Sequence, residues 1–308
     1  LYTNLQKNKV LFSLFDKLEG SFFMNTEKNK KIWLKKCETT LKLGGRSDIT
    51  VRNYSYAIKR FLNSYDNSVR ISKLSIDDLT KYFQKNFLKI DLSANTYNFN
   101  LSAIRYFYLI CFERNINKSL LPTSNIKKRF PAIISKEQFL VIVNNENNLE
   151  HKCWLLLSFC CGLRRSEVAT LKIENIYSKE HKLKVIGKGN KERFTILPDV
   201  VVKILRLYYK EKKYTSNTGY LFKGYELNEH VSPRTVGNFF TELKKEYNLP
   251  PEITEHSLRH SFATFYLMNG GDLIALKSMM GHKTLNSTTI YLHMSQDFNN
   301  LKGINYEK

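Results

Sequence analysis

KLKVIGKGNKERFTIL, residues 182–197, decides the fold class of this chain of 308 residues. Leu183 and Val185 alternate with lysines, four residues rich in glycine follow (Gly187-Lys188-Gly189-Asn190), and Arg193 to Leu197 return to strand-forming side chains. That pattern predicts a β-hairpin with a glycine-rich tip. On both sides the apolar residues recur at helical rather than strand spacing. The expected fold is therefore mainly α, with a small antiparallel β-sheet inside a helical C-terminal domain.

Downstream of the hairpin a helix follows Pro198, and another opens at Ser232-Pro233, with Ser as N-cap and Pro at the first helical position. A third covers 256–269 and closes at Gly270-Gly271. A short one runs from Asp272 to Met280, and Gly281-His282 then lead into a helical turn carrying Tyr291. Upstream, Ser135 and Gln138 form a capping box, a buried helix over Lys152–Cys161 ends at Gly162, and a short helix is led by Ser166-Glu167. These elements make 134–308 one domain. Residues 119–133 hold two prolines and a basic run with no period, which reads as a linker.

Residues 29–118 read as a bundle of four helices. Their stripes are Ile32, Trp33, Cys37 and Leu41; Tyr54, Ile58, Phe61, Leu62 and Tyr65; a helix capped by Ser75 with Asp78 and ending near Phe87; and Leu101, Ile104, Phe107, Tyr108 and Cys111. Residues 1–28 form an N-terminal extension of unclear role, and the chain opens with Leu1 rather than Met.

Lys and Arg number 49 against 28 Asp and Glu, a net charge of +21. Residues 1–130 carry 24 of those basic side chains and only 10 of the acidic ones, spread through patterned sequence rather than packed in a tail. Such an excess marks a polyanionic partner, nucleic acid before an acidic membrane surface. Arg52, Lys59, Arg60, Asn98 and Arg105 lie between the apolar stripes as candidate DNA contacts, with Lys191, Arg193 and Arg234 in the second domain. A basic linker between two basic domains would let them close around a duplex. The apolar runs are too short for a membrane span, and no signal peptide is visible. Five cysteines, with no C-x-x-C pair, read as buried small side chains of a cytoplasmic protein rather than disulfides or a zinc site.

Four short stretches carry chemistry. Gly162-Leu163-Arg164-Arg165-Ser166-Glu167 sets an arginine just after a glycine turn. Lys188 sits at the hairpin tip, whose spacing does not fit a nucleotide-binding P-loop. His256 and Arg259 stand three apart on one helix. His282 and Tyr291 close the set. Two arginines suit the non-bridging oxygens of a phosphodiester, a histidine can take the proton of a phenol, and a mobile lysine can protonate a leaving oxygen. No acidic cluster is present to hold a pair of magnesium ions, so neither metal nor cofactor is expected.

These motifs resemble those of the tyrosine recombinases of the Xer and Cre type, over about residues 30–293. Gly162-Leu163-Arg164…Glu167 matches G-L-R-x-x-E; Gly187 to Arg193 matches G-K-G-x-K-x-R; His256 to Thr264 matches H-x-L-R-H-[ST]-F-A-T; Met280-Gly281-His282 and Thr288 to His293 match L-G-H and T-x-x-Y-x-H, with Met280 for Leu. The resemblance implies a four-helix core-binding domain followed by the tyrosine-recombinase catalytic fold. Arg164, Lys188, His256, Arg259, His282 and Tyr291 would be catalytic, Tyr291 the nucleophile, with Glu167 buttressing the site and His260 structural. It further implies a 3′-phosphotyrosine intermediate formed without metal or ATP. The partner would be a duplex recombination site, a short inverted repeat, bound by a homotetramer whose protomers are linked through the C-terminal tail (Phe298, Leu301, Ile304). High Lys, Asn and Ile usage points to an AT-rich bacterial genome and a nucleoid-associated protein, resolving dimers or moving an element. A type IB topoisomerase and a non-catalytic DNA-binding protein are the alternatives.

Overall fold

The structure is a computed structural model that describes residues 24–294, apart from 89, 91, 126–129, 188–190, 227–228 and 293. The hairpin tip with Lys188, the residues before 24 and the C-terminal tail lie outside the described residues. The chain divides into two compact units, 1–128 and 129–308.

The first unit contains α1 (Glu27–Leu43), α2 (Asp48–Leu62), α3 (Ile76–Phe83) and α4 (Ala94–Phe112). Each begins at a hydroxyl that accepts from a backbone N–H three residues on: Thr26 from Asn29, Ser47 from Thr50, Ser75 from Asp78 and Ser93 from Thr96. One such cap contributes about 1 kcal/mol. The box at Ser75 is reciprocal, as expected, since Asp78 accepts from the Ser75 N–H at 2.9 Å. One turn of π-helix (Gln84–Leu88) continues α3. The core is aromatic: Trp33, Phe61, Phe83, Phe87, Phe107 and Tyr108 are buried, and pairs such as Phe61–Tyr82 meet edge to face at 5.0 Å. Such a pair adds roughly 0.5–1.5 kcal/mol beyond the area it buries.

Three expectations shift here. Helix α1 starts before residue 29, because Asn25 anchors the chain ahead of it: its side-chain N–H groups donate to the Leu62 and Tyr65 carbonyls, both at 2.7 Å. Ile32 is exposed, leaving Trp33, Cys37 and Leu41 as a narrower stripe. Part of the expected linker, 119–133, packs onto the first unit. Leu121 is buried, the Tyr97 hydroxyl donates to the Pro122 carbonyl, and Asn98 both donates to and accepts from the Ser124 backbone.

In the second unit α5 (Lys136–Asn145) precedes α6 (Leu149–Cys161), the central helix, which packs against α8 (Asp199–Glu211) and α10 (Glu255–Met268). Ser135 and Gln138 form the expected capping box. Helix α6 starts three residues early because the Asn148 side chain accepts from the backbone of Glu150 and His151. It ends at Gly162, at φ +67°. Any Cβ there would lie 2.4 Å from the Phe262 ring, so the position needs glycine on two grounds. All five cysteines are free.

After the short α7 (Arg165–Ala169) the hairpin forms as expected: β2 (Lys182–Gly187) pairs antiparallel with β3 (Lys191–Ile196), from Lys182↔Ile196 to Gly187↔Lys191. A third strand, β1 (Ile176–Tyr177), adds to β2 through Ile176↔Leu183. Two residues are too few to show a period, which is why it does not announce itself in the sequence. Helix α9 (Pro233–Glu246) begins at the Ser232-Pro233 start signal, and α11 (Leu273–Met280) is capped by Asp272. A helical run over 286–292 carries Tyr291. Its ring joins a small apolar cluster with Phe262, Ala263, Leu267, Leu276, Met280 and Met294. No helix among the described residues is long and apolar enough to cross a membrane.

Candidate active site

The site is organised around a buried carboxylate. Glu167 sits one turn into α7, its side chain only 3% exposed. One of its oxygens accepts from the Arg164 and Arg193 guanidinium groups, both at 2.7 Å. The other accepts from the Arg164 backbone N–H at 2.7 Å and from Arg193 at 2.8 Å, with Arg259 at 3.7 Å. Burial alone would raise this carboxyl's pKa. Hydrogen bonds and charge from Arg193, the Arg164 N–H and the charge of Arg259 outweigh it and hold the group below the usual carboxylate range. Glu167 is therefore ionised, and it fixes three guanidinium groups.

Backbone carbonyls complete their orientation. Arg259 on α10 donates to the Gly162 and Met280 carbonyls, which end α6 and α11, and Arg164 donates to the same Met280 carbonyl at 3.1 Å. Burial and the nearby Arg164 pull Arg259 down to about 9, leaving it charged at neutral pH. Arg259 is almost fully buried, whereas the Arg164 side chain remains 34% exposed. Arg165 pairs with Glu255 at 3.1 Å and so ties α7 to the start of α10. Two arginines far apart in sequence are brought to one carbonyl.

His282 and Tyr291 reach the same place from the turn after α11. Gly281 ends that helix at φ +60°, where an added Cβ would press on the Arg193 side chain at 3.0 Å. The His282 ring meets the Thr288 hydroxyl through Nδ1 at 2.9 Å, and it lies nearly parallel to the Tyr291 ring, centroids 6.3 Å apart. With Thr288 donating to Nδ1, Nε2 carries the ring proton and can donate to an anion. Tyr291 is 3% exposed, and its hydroxyl lies 2.7 Å from Nδ1 of His260. Burial raises the phenol's pKa, while Arg259 and Arg164 pull it back. His260 and His282 are each lowered to about 4, by burial first; the charges of His256 and Arg259 add to the effect at His260, and those of Arg259 and Arg164 at His282. Both rings are neutral at pH 7.

The other expected residues fall in several places. His256 is half exposed on α10, its pKa lowered by burial and by Arg259, and its ring lies 6.5 Å from that of His260. Arg52 and Lys59 are exposed seven residues apart on α2, which puts them on one face. Lys191 and Arg234 are exposed on β3 and at the start of α9. Arg193 differs from its expected place on the DNA-facing surface: its side chain is 8% exposed, committed to Glu167 and, through Nε, to the Met279 carbonyl at 2.6 Å. Arg60 and Arg105 also turn inward, the first to Asn100 at 2.9 Å and over the Phe87 ring, the second to the Leu121 carbonyl. Asn98 is engaged with Ser124. Sequence reasoning missed the Met280 carbonyl and Thr288, which is fully buried. Its spacing of three from Tyr291 was the available signal. His260, expected to be structural, is the residue on the tyrosine hydroxyl.

Comparison with known proteins bears on the family and the fold. Residues 133–297 match the phage integrase family and residues 33–118 the phage integrase N-terminal SAM-like domain. The chain is 31% identical over 263 residues to tyrosine recombinase XerA of Pyrococcus horikoshii, covering 84% of this chain and 87% of that one. It is 29% identical over 275 residues to tyrosine recombinase XerD of Staphylococcus saprophyticus, covering 82% and 90%. Among solved structures, the XerH site-specific recombinase bound to a palindromic difH substrate superposes with a TM-score of 0.68 at 18% identity, over 87% of this chain and 82% of that one. The Tn1549 transposon integrase in complex with transposon right end DNA gives 0.67 at 16%, over 89% and 99%. At such identities the structural likeness speaks for the fold.

Proposed function

Because the chain belongs to the phage integrase family and is a tyrosine recombinase of site-specific recombination, we propose that Tyr291 is its nucleophile and that Arg164, Arg259, His256 and His282 hold the scissile phosphate of duplex DNA. The phenolic oxygen attacks phosphorus, the bond to the 5′ oxygen breaks, and Lys188 protonates that leaving oxygen. The 3′-phosphotyrosine left behind conserves the bond energy, so a 5′-hydroxyl from a partner strand can reverse the step without ATP. Charge building on the non-bridging oxygens meets fixed guanidinium donors, which cost no reorganisation at the moment of reaction. Glu167 and Arg193 act through the arginines they orient. The observation that supports this reading best is the convergence of Arg164 and Arg259 on the Met280 carbonyl, two residues before His282 and in the unit that carries Tyr291.

The substrate in this reading is a short inverted repeat with arms of about one helical turn around a spacer. Four protomers would join two such sites, linked through their C-terminal tails, in a bacterial cytoplasm. The test uses a nicked duplex carrying the inverted repeat found beside the gene. Wild type should accumulate a denaturant-resistant protein–DNA adduct in EDTA, mapped to Tyr291, and Tyr291→Phe should form none. An adduct on another residue, or one that requires magnesium, would overturn the mechanism.

A further inference from the structure

We propose that His260 is the proton acceptor for Tyr291, taking the phenolic proton on Nδ1 as the oxygen attacks phosphorus. The proposal rests on the reading of Tyr291 as nucleophile. A general base must lie within about 2.6–3.2 Å of the atom it deprotonates. His260 does, at 2.7 Å. The other two histidines of the site do not share this geometry. His282 has its Nδ1 on Thr288 and its ring nearly parallel to that of Tyr291, so it stacks beside the phenol rather than directing a nitrogen at the hydroxyl. His256 is half exposed, its ring centroid 6.5 Å from that of His260, and it is His260 that meets the hydroxyl.

The placement is rigid. His260 follows Arg259 on α10, and Arg259 is held by carbonyls at the ends of two other helices. The next residue, Ser261, exchanges hydrogen bonds with both backbone groups of Ile134. The phenol is just as constrained, its ring packed among Phe262, Leu276 and Met280. The groups facing the pair are His256 and Arg259 from α10, Arg164 just ahead of α7 and His282 from the turn after α11. Without DNA, burial and the cationic neighbours keep His260 neutral, so with the ring proton on Nε2 its Nδ1 lone pair accepts the hydroxyl. An arriving phosphodiester brings negative charge that offsets Arg259 and Arg164 and makes a protonated His260 less costly.

The step balances. The bond from the Tyr291 oxygen to phosphorus forms as the bond to the 5′ oxygen breaks; the phenolic proton passes to His260, and the leaving oxygen takes its proton from Lys188. In rejoining, the 5′-hydroxyl attacks, its proton returns to Lys188, and His260 gives its proton back to the departing phenolate.

The experiment compares wild type, His260→Asn and His260→Ala on the nicked duplex just described, with duplex binding and thermal melting measured alongside. His260→Asn keeps a polar atom near the position of Nδ1 but cannot take a proton. Both variants should bind DNA as wild type does and form the Tyr291 adduct about 10²–10³-fold more slowly, in the range of one general base. Imidazole added to His260→Ala should restore rate in proportion to its free-base concentration, and the variants' rates should climb with pH where wild type has levelled. A rate equal to wild type, or faster, would show that His260 only latches the tyrosine, and the proposal fails. Slow variants indifferent to imidazole and to pH would assign it a packing role, which also overturns the proposal. If wild type itself forms no adduct on Tyr291, the nucleophile assignment falls and this one with it; an active wild type beside equally active variants refutes His260 alone.

Discussion

Glu167→Gln preserves the size of the side chain at the centre of the site and removes its charge. Four N–H groups converge on the two carboxylate oxygens at 2.7–2.8 Å, and Arg259 stands at 3.7 Å. The amide replaces one acceptor oxygen with a donor, so some of those N–H groups lose their partner. Arg193 and Arg259, 8% and 4% exposed at the side chain, are left as buried cations without a counter-charge. Removing one member of such a buried pair costs about 3–5 kcal/mol. For a unit of the size of residues 129–308 each kcal/mol moves the melting temperature by about 2–4 °C, so a drop of roughly 6–20 °C is expected. Calorimetry and urea denaturation of the full chain measure it. Arg193→Met in the same chain removes one orphaned cation, so the double variant should lose less than the sum of the two singles. The pH dependence has a definite sign. The folded pKa of Glu167 lies below its unfolded value, so its contribution is complete above about pH 4.3 and disappears as pH falls through the folded value. The gap between wild type and Glu167→Gln should therefore narrow in acid. A loss below about 1 kcal/mol at pH 7, the size of a surface pair, or strict additivity in the double variant, would refute this account of the cluster.

Lys188→Ala should slow strand cleavage while leaving duplex binding intact, and a 5′-sulfur at the scissile position, a better leaving group, should restore much of the rate; no rescue would remove Lys188 as the acid. With a net charge of +21, duplex affinity should fall steeply with salt, log K dropping by about 0.9 per phosphate contact for each tenfold rise. A flat titration of binding against salt would contradict the electrostatic reading. Gly162→Ala meets both a left-handed backbone and the Phe262 ring, so urea denaturation should show a loss of more than about 1 kcal/mol; a neutral result would mean that the turn yields.

Much of the fold was legible because it rests on local signals. The hydroxyl caps at Ser75 and Ser135, the stop at Gly162, the start at Ser232-Pro233 and the alternation in β2 each act within a few residues, and the helices and strands follow them. Where the reading slipped, a contact distant in sequence had intervened. Asn25 ties the start of α1 to carbonyls 37 and 40 residues away, and Leu121 and Pro122 fasten part of the expected linker to α4. Strand β1 owes its existence to pairing with Leu183 and Lys182.

The candidate site divides along the same line. Motif spacing named Arg164, Glu167, Lys188, His256, Arg259, His282 and Tyr291, because residue type and order along the chain carry the chemistry a phosphodiester needs. The use to which each side chain is put was settled by proximity in three dimensions. Arg193 and Lys191 stand two apart on one strand, yet one closes on Glu167 beneath the surface while the other faces solvent. His256 and His260 share a helix, and only the folding of the 286–292 run back onto α10 puts the tyrosine hydroxyl on the second of them. Propensity, capping and periodicity act over one or two helical turns, so they can be read along the chain. Desolvation and hydrogen bonding depend on which distant segments meet, and they decide which arginine holds a carboxylate and which histidine holds the phenol.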